Sequence, residues 1–216
     1  MTTRRQLIAA APALAFAAPA LAQTAGVAQV PPIGAGDVPI GRADAPVQVI
    51  EYASFACPHC AHWMAETWPA FKRRYVDTGL VRFAMRELLT APADMAAAGA
   101  MLARCAPPGR YYDLAGAIFG AQGRLAAAEQ PMTVLAQAGA QVGLSTTAVS
   151  NCLRSRANLD ALQRRIQQSV DAGITGTPVF FVNGRRLPDT PEHGLDVLSA
   201  AIDPTLTTAQ RGRLPR

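Results

Sequence analysis

The sequence predicts an α/β protein whose mixed sheet is built on a strand–helix–strand unit and interrupted by an all-helical insertion. Three observations carry that prediction. An apolar run from Pro46 to Phe55, rich in Val, Ile and aromatics, leads into a helical segment opened by two cysteines three residues apart. Between residues 90 and 172 strand chemistry gives way to Ala-rich segments of helical period, punctuated by prolines. Strand-forming residues return only at Val179.

Taken in order, Met1 to Ala22 has a short basic start (Arg4, Arg5), an apolar run of 16 residues from Leu7, and Ala20-Leu21-Ala22 before Gln23. This is the pattern of a signal peptide, 1–22, and implies export to the periplasm. Pro12 and Pro19 break a run already short for a membrane helix, with an uncleaved anchor as the alternative. Thr3-Arg4-Arg5 also resembles a twin-arginine signal, so the Sec and twin-arginine routes both stay open. Residues 23–36 lack periodicity and read as a flexible lead-in.

Asp37 to Ile40 reads as a short edge strand, and Gly41 to Pro46 turns the chain into the central strand. Beyond the cysteines, Met64, Trp68, Phe71 and Tyr75 form one apolar helix face, which Asp77-Thr78-Gly79 ends before a second strand, Leu80 to Leu88. A unit of this size implies parallel strands joined by a right-handed crossover. The insertion, 90–172, reads as four or five helices, with Ala98, Met101, Leu102 and Cys105 on one stripe. Tyr111, Tyr112, Ala115, Ile118 and Phe119 form another, and Ser145 caps a helix carrying Val149, Cys152 and Leu153.

Gly173 to Pro178 leads into a strand, Val179 to Val182, and Asn183-Gly184 signals a hairpin returning through Arg185-Arg186-Leu187. Thr190 and Pro191 read as the cap and first residue of a last helix, with Leu195, Leu198 and Ile202 facing the sheet and His193 solvated or capping. The core is thus 37–89 plus 173–203, followed by a disordered tail, 204–216.

Charge narrows the function. The formal charge is +5, but residues 23–203 hold 15 basic and 15 acidic side chains. A neutral body without a basic patch argues against nucleic acid. The paired cysteines could be half of a zinc site, but Cys105 and Cys152 are solitary and supply no second close pair, so no metal and no cofactor is expected.

The chemistry centres on Glu51 and Cys57-Pro58-His59-Cys60. Cys57 falls at the helix start, where unpartnered N–H groups and the macrodipole favour a thiolate. Pro58 suits the first helical position, where its missing N–H is no loss. His59 adds a donor and, when protonated, a positive charge. Cys57 is therefore the nucleophile with a lowered pKa, and Cys60, facing into the fold, resolves the mixed disulfide. Glu51 lies on a strand with both faces covered, where burial raises its pKa and lets it exchange a proton with Cys60; a Glu at the sheet margin reaching water is the other reading.

A Glu six residues before Cys-Pro-His-Cys resembles the DsbA family of thioredoxin-fold disulfide oxidoreductases. Gly176-Thr177-Pro178-Val179-Phe180-Phe181-Val182-Asn183-Gly184 is similar to that family's cis-proline segment. The similarity covers roughly residues 37 to 202. It implies a thioredoxin-like mixed sheet with a helical insertion, and a cis Thr177–Pro178 bond where trans is the general default, with the Thr177 backbone beside Cys57 to pair with an extended substrate peptide. Cys105 and Cys152 fit either buried free thiols or, in an oxidising compartment, a structural disulfide; a subset of DsbA proteins has a second disulfide in this region.

The resemblance further implies a periplasmic oxidase that donates its Cys57–Cys60 disulfide to reduced exported polypeptides. Its reoxidant would be a membrane quinone-linked protein of DsbB type. A monomer is expected, since only about 14 residues separate the cleavage site from Asp37 and isomerases usually carry an N-terminal dimerisation domain. Thr177 stands where many DsbA proteins have Val and isomerases often have Thr, so an isomerase or reductase is the second reading. A copper-binding module is the third.

Overall fold

The computed structural model describes residues 30–127, 130–190 and 193–215. Strands β1 (Val47–Ala53) and β2 (Val81–Glu87) pair in parallel, from Val47 opposite Val81 to Ala53 opposite Glu87. Strand β3 (Val179–Val182) runs antiparallel along the other side of β1, and the two-residue β4 (Arg185–Arg186) completes the order β2-β1-β3-β4. The hairpin between β3 and β4 turns on Asn183 and Gly184, at φ 49° and 78°. Two consecutive positive φ values are what a tight type I′ turn demands, and Asn-Gly is the pair that tolerates them. The expected edge strand at 37–40 reduces to one bridge between Ile40 and Phe83.

From β1 the chain passes into helix α1 (Pro58–His62), a π-helical stretch (Trp63–Thr67), α2 (Trp68–Phe71) and a second π-helical stretch (Lys72–Val76). Pro69 has no N–H and its ring crowds the carbonyl four residues back, so a widened turn before it lets the helix continue. Met64, Trp68, Phe71 and Tyr75 are all buried, as their spacing predicts. Trp68 lies 4.9 Å from the Phe83 ring of β2, fixing the helix on one sheet face.

The insertion contains six helices where the sequence suggests four or five: α3 (Ala93–Ala103), α4 (Tyr111–Gly120), α5 (Gln122–Ala127), α6 (Pro131–Ala140), α7 (Thr146–Arg154) and α8 (Arg156–Asp171). Periodicity alone misses the breaks. Ser155 ends α7 and its side chain accepts the Asn158 N–H of α8, while one residue, Ala121, separates α4 from α5. Ser145 caps α7 as expected, accepting from Ala148 N–H at 3.1 Å.

Both faces of β1 are covered. Val49 and Ala53 point into the aromatic cluster under the helices; Ile50 and Tyr52 point to a second cluster with Ala84, Phe181 and Ile174. Val30 and Ile33 belong to that second cluster, so the expectation of a flexible lead-in is corrected for residues 30–36, which pack across the sheet. Ile33 N–H also donates to the Gln48 side chain at 3.0 Å. Residues 23–29 and the expected signal peptide, 1–22, lie outside the described residues.

Three expectations at the C-terminus are corrected. The last long helix, α9 (Leu195–Ile202), starts behind Gly194 rather than at Thr190-Pro191, and Pro191 itself lies outside the described residues. His193 therefore precedes the helix; it is 2% exposed against the Phe180 ring, with Nε2 3.2 Å from Pro188 O, not solvated. The tail after 204 is ordered through α10 (Thr208–Arg211), whose capping box pairs Thr207 with Gln210. Leu206 is buried beneath it, so its polar composition conceals a helix with an apolar anchor. Among the described residues no helix is long and apolar enough to cross a membrane.

Candidate active site

The C-terminal end of β1 delivers the chain into a tight loop, Ser54-Phe55-Ala56, and then to Cys57. Ser54 organises the turn. Its carbonyl accepts Cys57 N–H at 3.0 Å, and its hydroxyl oxygen accepts Ala56 N–H at 3.3 Å and Thr90 N–H at 3.2 Å. Cys57 takes the cap position with extended backbone (φ −83°, ψ 119°), and Pro58 occupies the first helical residue. The first-turn N–H groups therefore point back toward the sulfur, as the sequence leads one to expect.

Cys57 is 6% exposed and Cys60 0%, so the second sulfur is sealed and the first sits at the protein's edge. Both are free thiols in this structure. The Cys57 thiol points at the Thr177 carbonyl oxygen, 3.4 Å away, across the cis Thr177–Pro178 bond. A second cis bond, Ala91–Pro92, has no counterpart in the sequence reading. The structure thus brings Cys57, Cys60, Thr177 and Pro178 together. His59 follows on the same turn with its imidazole exposed.

The two thiols are driven apart in acidity. The Cys57 pKa falls to about 5, chiefly through the hydrogen bond from the Cys60 thiol; burial opposes this, while the Thr177 side chain and the backbone N–H groups of Cys60 and His59 assist. His59 thus acts through its backbone, where the sequence reading credits its side chain as well. Cys60 is pushed well above the ordinary thiol value, first by burial, then by its hydrogen bond to Cys57 and the nearby Glu51 carboxyl. Glu51 is 1% exposed, with no hydrogen-bond partner for Oε2. Its pKa is raised well above the carboxylate range by burial and by the charge of Cys57. The margin reading of Glu51 is excluded.

Away from this centre, Cys105 and Cys152 form a disulfide with a Cα–Cα distance of 6.3 Å, tying α3 to α7. The Asn158 side chain of α8 donates to Cys105 Sγ at 3.2 Å and to Cys152 O at 3.3 Å. Among the described residues no group of three or more His, Cys, Asp or Glu side chains is placed to hold a metal ion.

The sequence reading missed what holds the loop from the insertion side. Phe55 stacks on Phe119 of α4 at 4.5 Å, and the Gln122 side chain of α5 donates to Phe55 O and Cys57 O at 2.9 and 3.1 Å. Gly99 of α3 comes so close that an added Cβ would lie 2.5 Å from Phe55 Cβ. The glycine in an otherwise helix-favouring stretch is the one sequence signal that could have shown this approach. For Gln122 there is none.

A cysteine pair at a helix start beside a cis-proline, on a four-stranded sheet interrupted by a helical insertion, defines a thioredoxin fold. The family profile described as thioredoxin matches residues 34–204, and the chain belongs to that family. Among its relatives is a candidate protein-disulfide oxidoreductase of Rickettsia typhi, 32% identical over 162 residues. The match covers 74% of this chain and 58% of that protein, so the chain spans a little over half the length of the curated relatives it matches. Of solved structures, α-DsbA1 of Wolbachia pipientis superposes with a TM-score of 0.73 at 24% identity, covering 82% of this chain and 92% of that one. Oxidised BdbD of Bacillus subtilis superposes at 0.68 and 18% identity, over 82% and 96%.

Proposed function

We propose that this chain is a DsbA-type protein-disulfide oxidoreductase working as a thiol oxidase in the periplasm. One observation carries the reading: within a single helical turn Cys57 sits at the helix cap beside the cis Thr177–Pro178 bond while Cys60 is sealed behind it, an arrangement that lowers the first pKa to about 5 and raises the second. A thiolate stabilises the reduced pair, and whatever stabilises the reduced pair makes the disulfide a stronger oxidant. A substrate thiolate attacks Cys57 Sγ of the Cys57–Cys60 disulfide; the Cys57–Cys60 bond breaks and Cys60 leaves as a thiolate that takes a proton, for which Glu51, the acid whose charge acts on Cys60, is the donor. A second substrate thiolate then attacks the substrate sulfur of the mixed disulfide. Cys57 leaves as the stable thiolate, the substrate carries away a disulfide, and the enzyme holds two more electrons. Thr177 and Pro178 present backbone beside Cys57 for an extended peptide to pair with.

Reduced exported polypeptides fit as substrates, and the cycle requires an oxidant such as a membrane quinone-linked DsbB-type protein. The chain is taken to act as a monomer. An isomerase or reductase shares the first half of this chemistry, and Thr177 is the observation on its side. Titrating the reduced protein at 240 nm and equilibrating it with glutathione buffers decides between them. An oxidase shows a thiolate pKa near 5 and a potential toward the DsbA reference of about −120 mV; a thiol titrating near 8.5, or a potential near thioredoxin's at about −270 mV, removes the oxidase assignment.

A further inference from the structure

We propose that Gln122 is a positioning residue for Cys57, through which the helical insertion sets the acidity of the nucleophile. The inference rests on the oxidase reading only in that the Cys57 thiolate governs redox behaviour. Gln122 is the first residue of α5, and its side chain leaves its own helix to reach the loop that ends at Cys57. Both of its partners, Phe55 O and Cys57 O, are acceptors, so the amide nitrogen faces them and spends its two N–H groups there, at 2.9 and 3.1 Å.

The carbonyls it holds flank the nucleophile on both sides. Cys57 O is also the first acceptor of the active-site helix, taking Ala61 N–H at 3.2 Å. A carbonyl oxygen is the negative end of a dipole, and one left bare next to the sulfur opposes a thiolate. An amide donor on that oxygen withdraws charge from it and pins the extended Cys57 backbone. The sulfur then stays where the Cys60 thiol and the first-turn N–H groups reach it. The reach is pre-set: Phe55 is wedged between Phe119 at 4.5 Å and the close approach of Gly99, so loop and insertion cannot drift apart.

The test replaces Gln122 in the mature chain with Met, which has similar length and no donor, and with Glu, which sets an acceptor against two acceptors. Gln137→Met is the control. Gln137 accepts from Arg124 at 2.6 Å within the insertion and has no bond to the loop. The readouts are the Cys57 thiolate pKa at 240 nm and the equilibrium constant with glutathione at pH 7.

Q122M is expected to raise the pKa by about one unit, which moves the glutathione equilibrium roughly tenfold toward the disulfide form. Q122E moves both at least as far, and Q137M matches wild type. If Q122M and Q122E titrate as wild type does, or lower the stability of both redox forms equally without moving the pKa, Gln122 is only a packing residue and the proposal is wrong. Should Q122M fail to fold, the Q122E comparison decides it alone. A wild-type thiol titrating near 8.5 would instead end the oxidase reading, which the difference between variants does not measure.

Discussion

Glu51 places a carboxyl on the central strand, 1% exposed, with no hydrogen-bond partner for Oε2. Burial keeps it protonated well above pH 4, and in the oxidised protein, where Cys57 carries no charge, burial is the cause that remains. The consequence for stability has a definite sign. Below about pH 4.3, the ordinary glutamate value, the group is protonated folded and unfolded, and no penalty exists. As pH rises past that value the unfolded chain ionises while the folded one does not, so stability falls by up to about 1.4 kcal/mol per unit until the folded pKa is reached. Glu51→Gln removes that slope. In urea unfolding of the oxidised protein, the variant's advantage over wild type should grow between pH 4 and pH 7. Any fixed loss from the new amide's unmet hydrogen bonds shifts both ends equally, so a pH-independent difference would contradict a buried neutral acid.

At the scale of elements, the strand–helix–strand unit and the hairpin were legible in the sequence because their signals are local: alternation, a helix stripe, Asn-Gly. The insertion was legible as helical but not as six pieces, since Ser155 and Ala121 are junctions a periodic pattern runs straight through. The tail misled because composition outweighs spacing to the eye, though Thr207 and Gln210 stand at capping-box separation. The two remaining cysteines were readable as a candidate pair, and the structure shows what they join: the end of α3, the interior of α7 and, through Asn158, the start of α8. Closing a loop between residues 47 apart in sequence stabilises by on the order of 4 kcal/mol in the chain-entropy treatment. Replacing both with Ala, which leaves no lone thiol to react, should lower the unfolding free energy by up to about 4 kcal/mol, read as a lower urea midpoint at unchanged m. The Cys57 titration should stay in place, because the loop contacts from Phe119 and Gln122 are untouched. An unchanged midpoint would show that packing alone fixes these helices.

For the molecule as a whole the question is what makes core and insertion one body, and the answer was invisible in the sequence because it lies in the partners of one acid. Glu87 closes β2 and is 2% exposed. Its carboxylate accepts from Arg104 Nε and Nη2 at 2.7 and 3.1 Å and from Arg165 Nε at 3.1 Å, while its backbone oxygen accepts the Ser169 hydroxyl at 2.9 Å. Arg104 belongs to the end of α3, Arg165 and Ser169 to α8, and Arg104 also reaches Gly36 O in the segment that packs across the sheet. One carboxylate therefore joins the thioredoxin-like sheet, both ends of the insertion and the lead-in. A buried ion pair is poor evidence of net stability, because desolvating three charges offsets much of their attraction; removing one partner is a different matter, since it strands the others in low dielectric. Glu87→Ala should therefore destabilise by about 3–5 kcal/mol, whereas replacing Glu87, Arg104 and Arg165 together with Met should restore most of that loss. If the clamp couples the two parts, wild type unfolds in one transition by both far-UV circular dichroism and Trp fluorescence, which reports Trp63 and Trp68 under the sheet, whereas in E87A the two probes separate; coincident transitions in E87A would show that other contacts hold the parts together. Two separated transitions in wild type would show instead that insertion and core unfold independently.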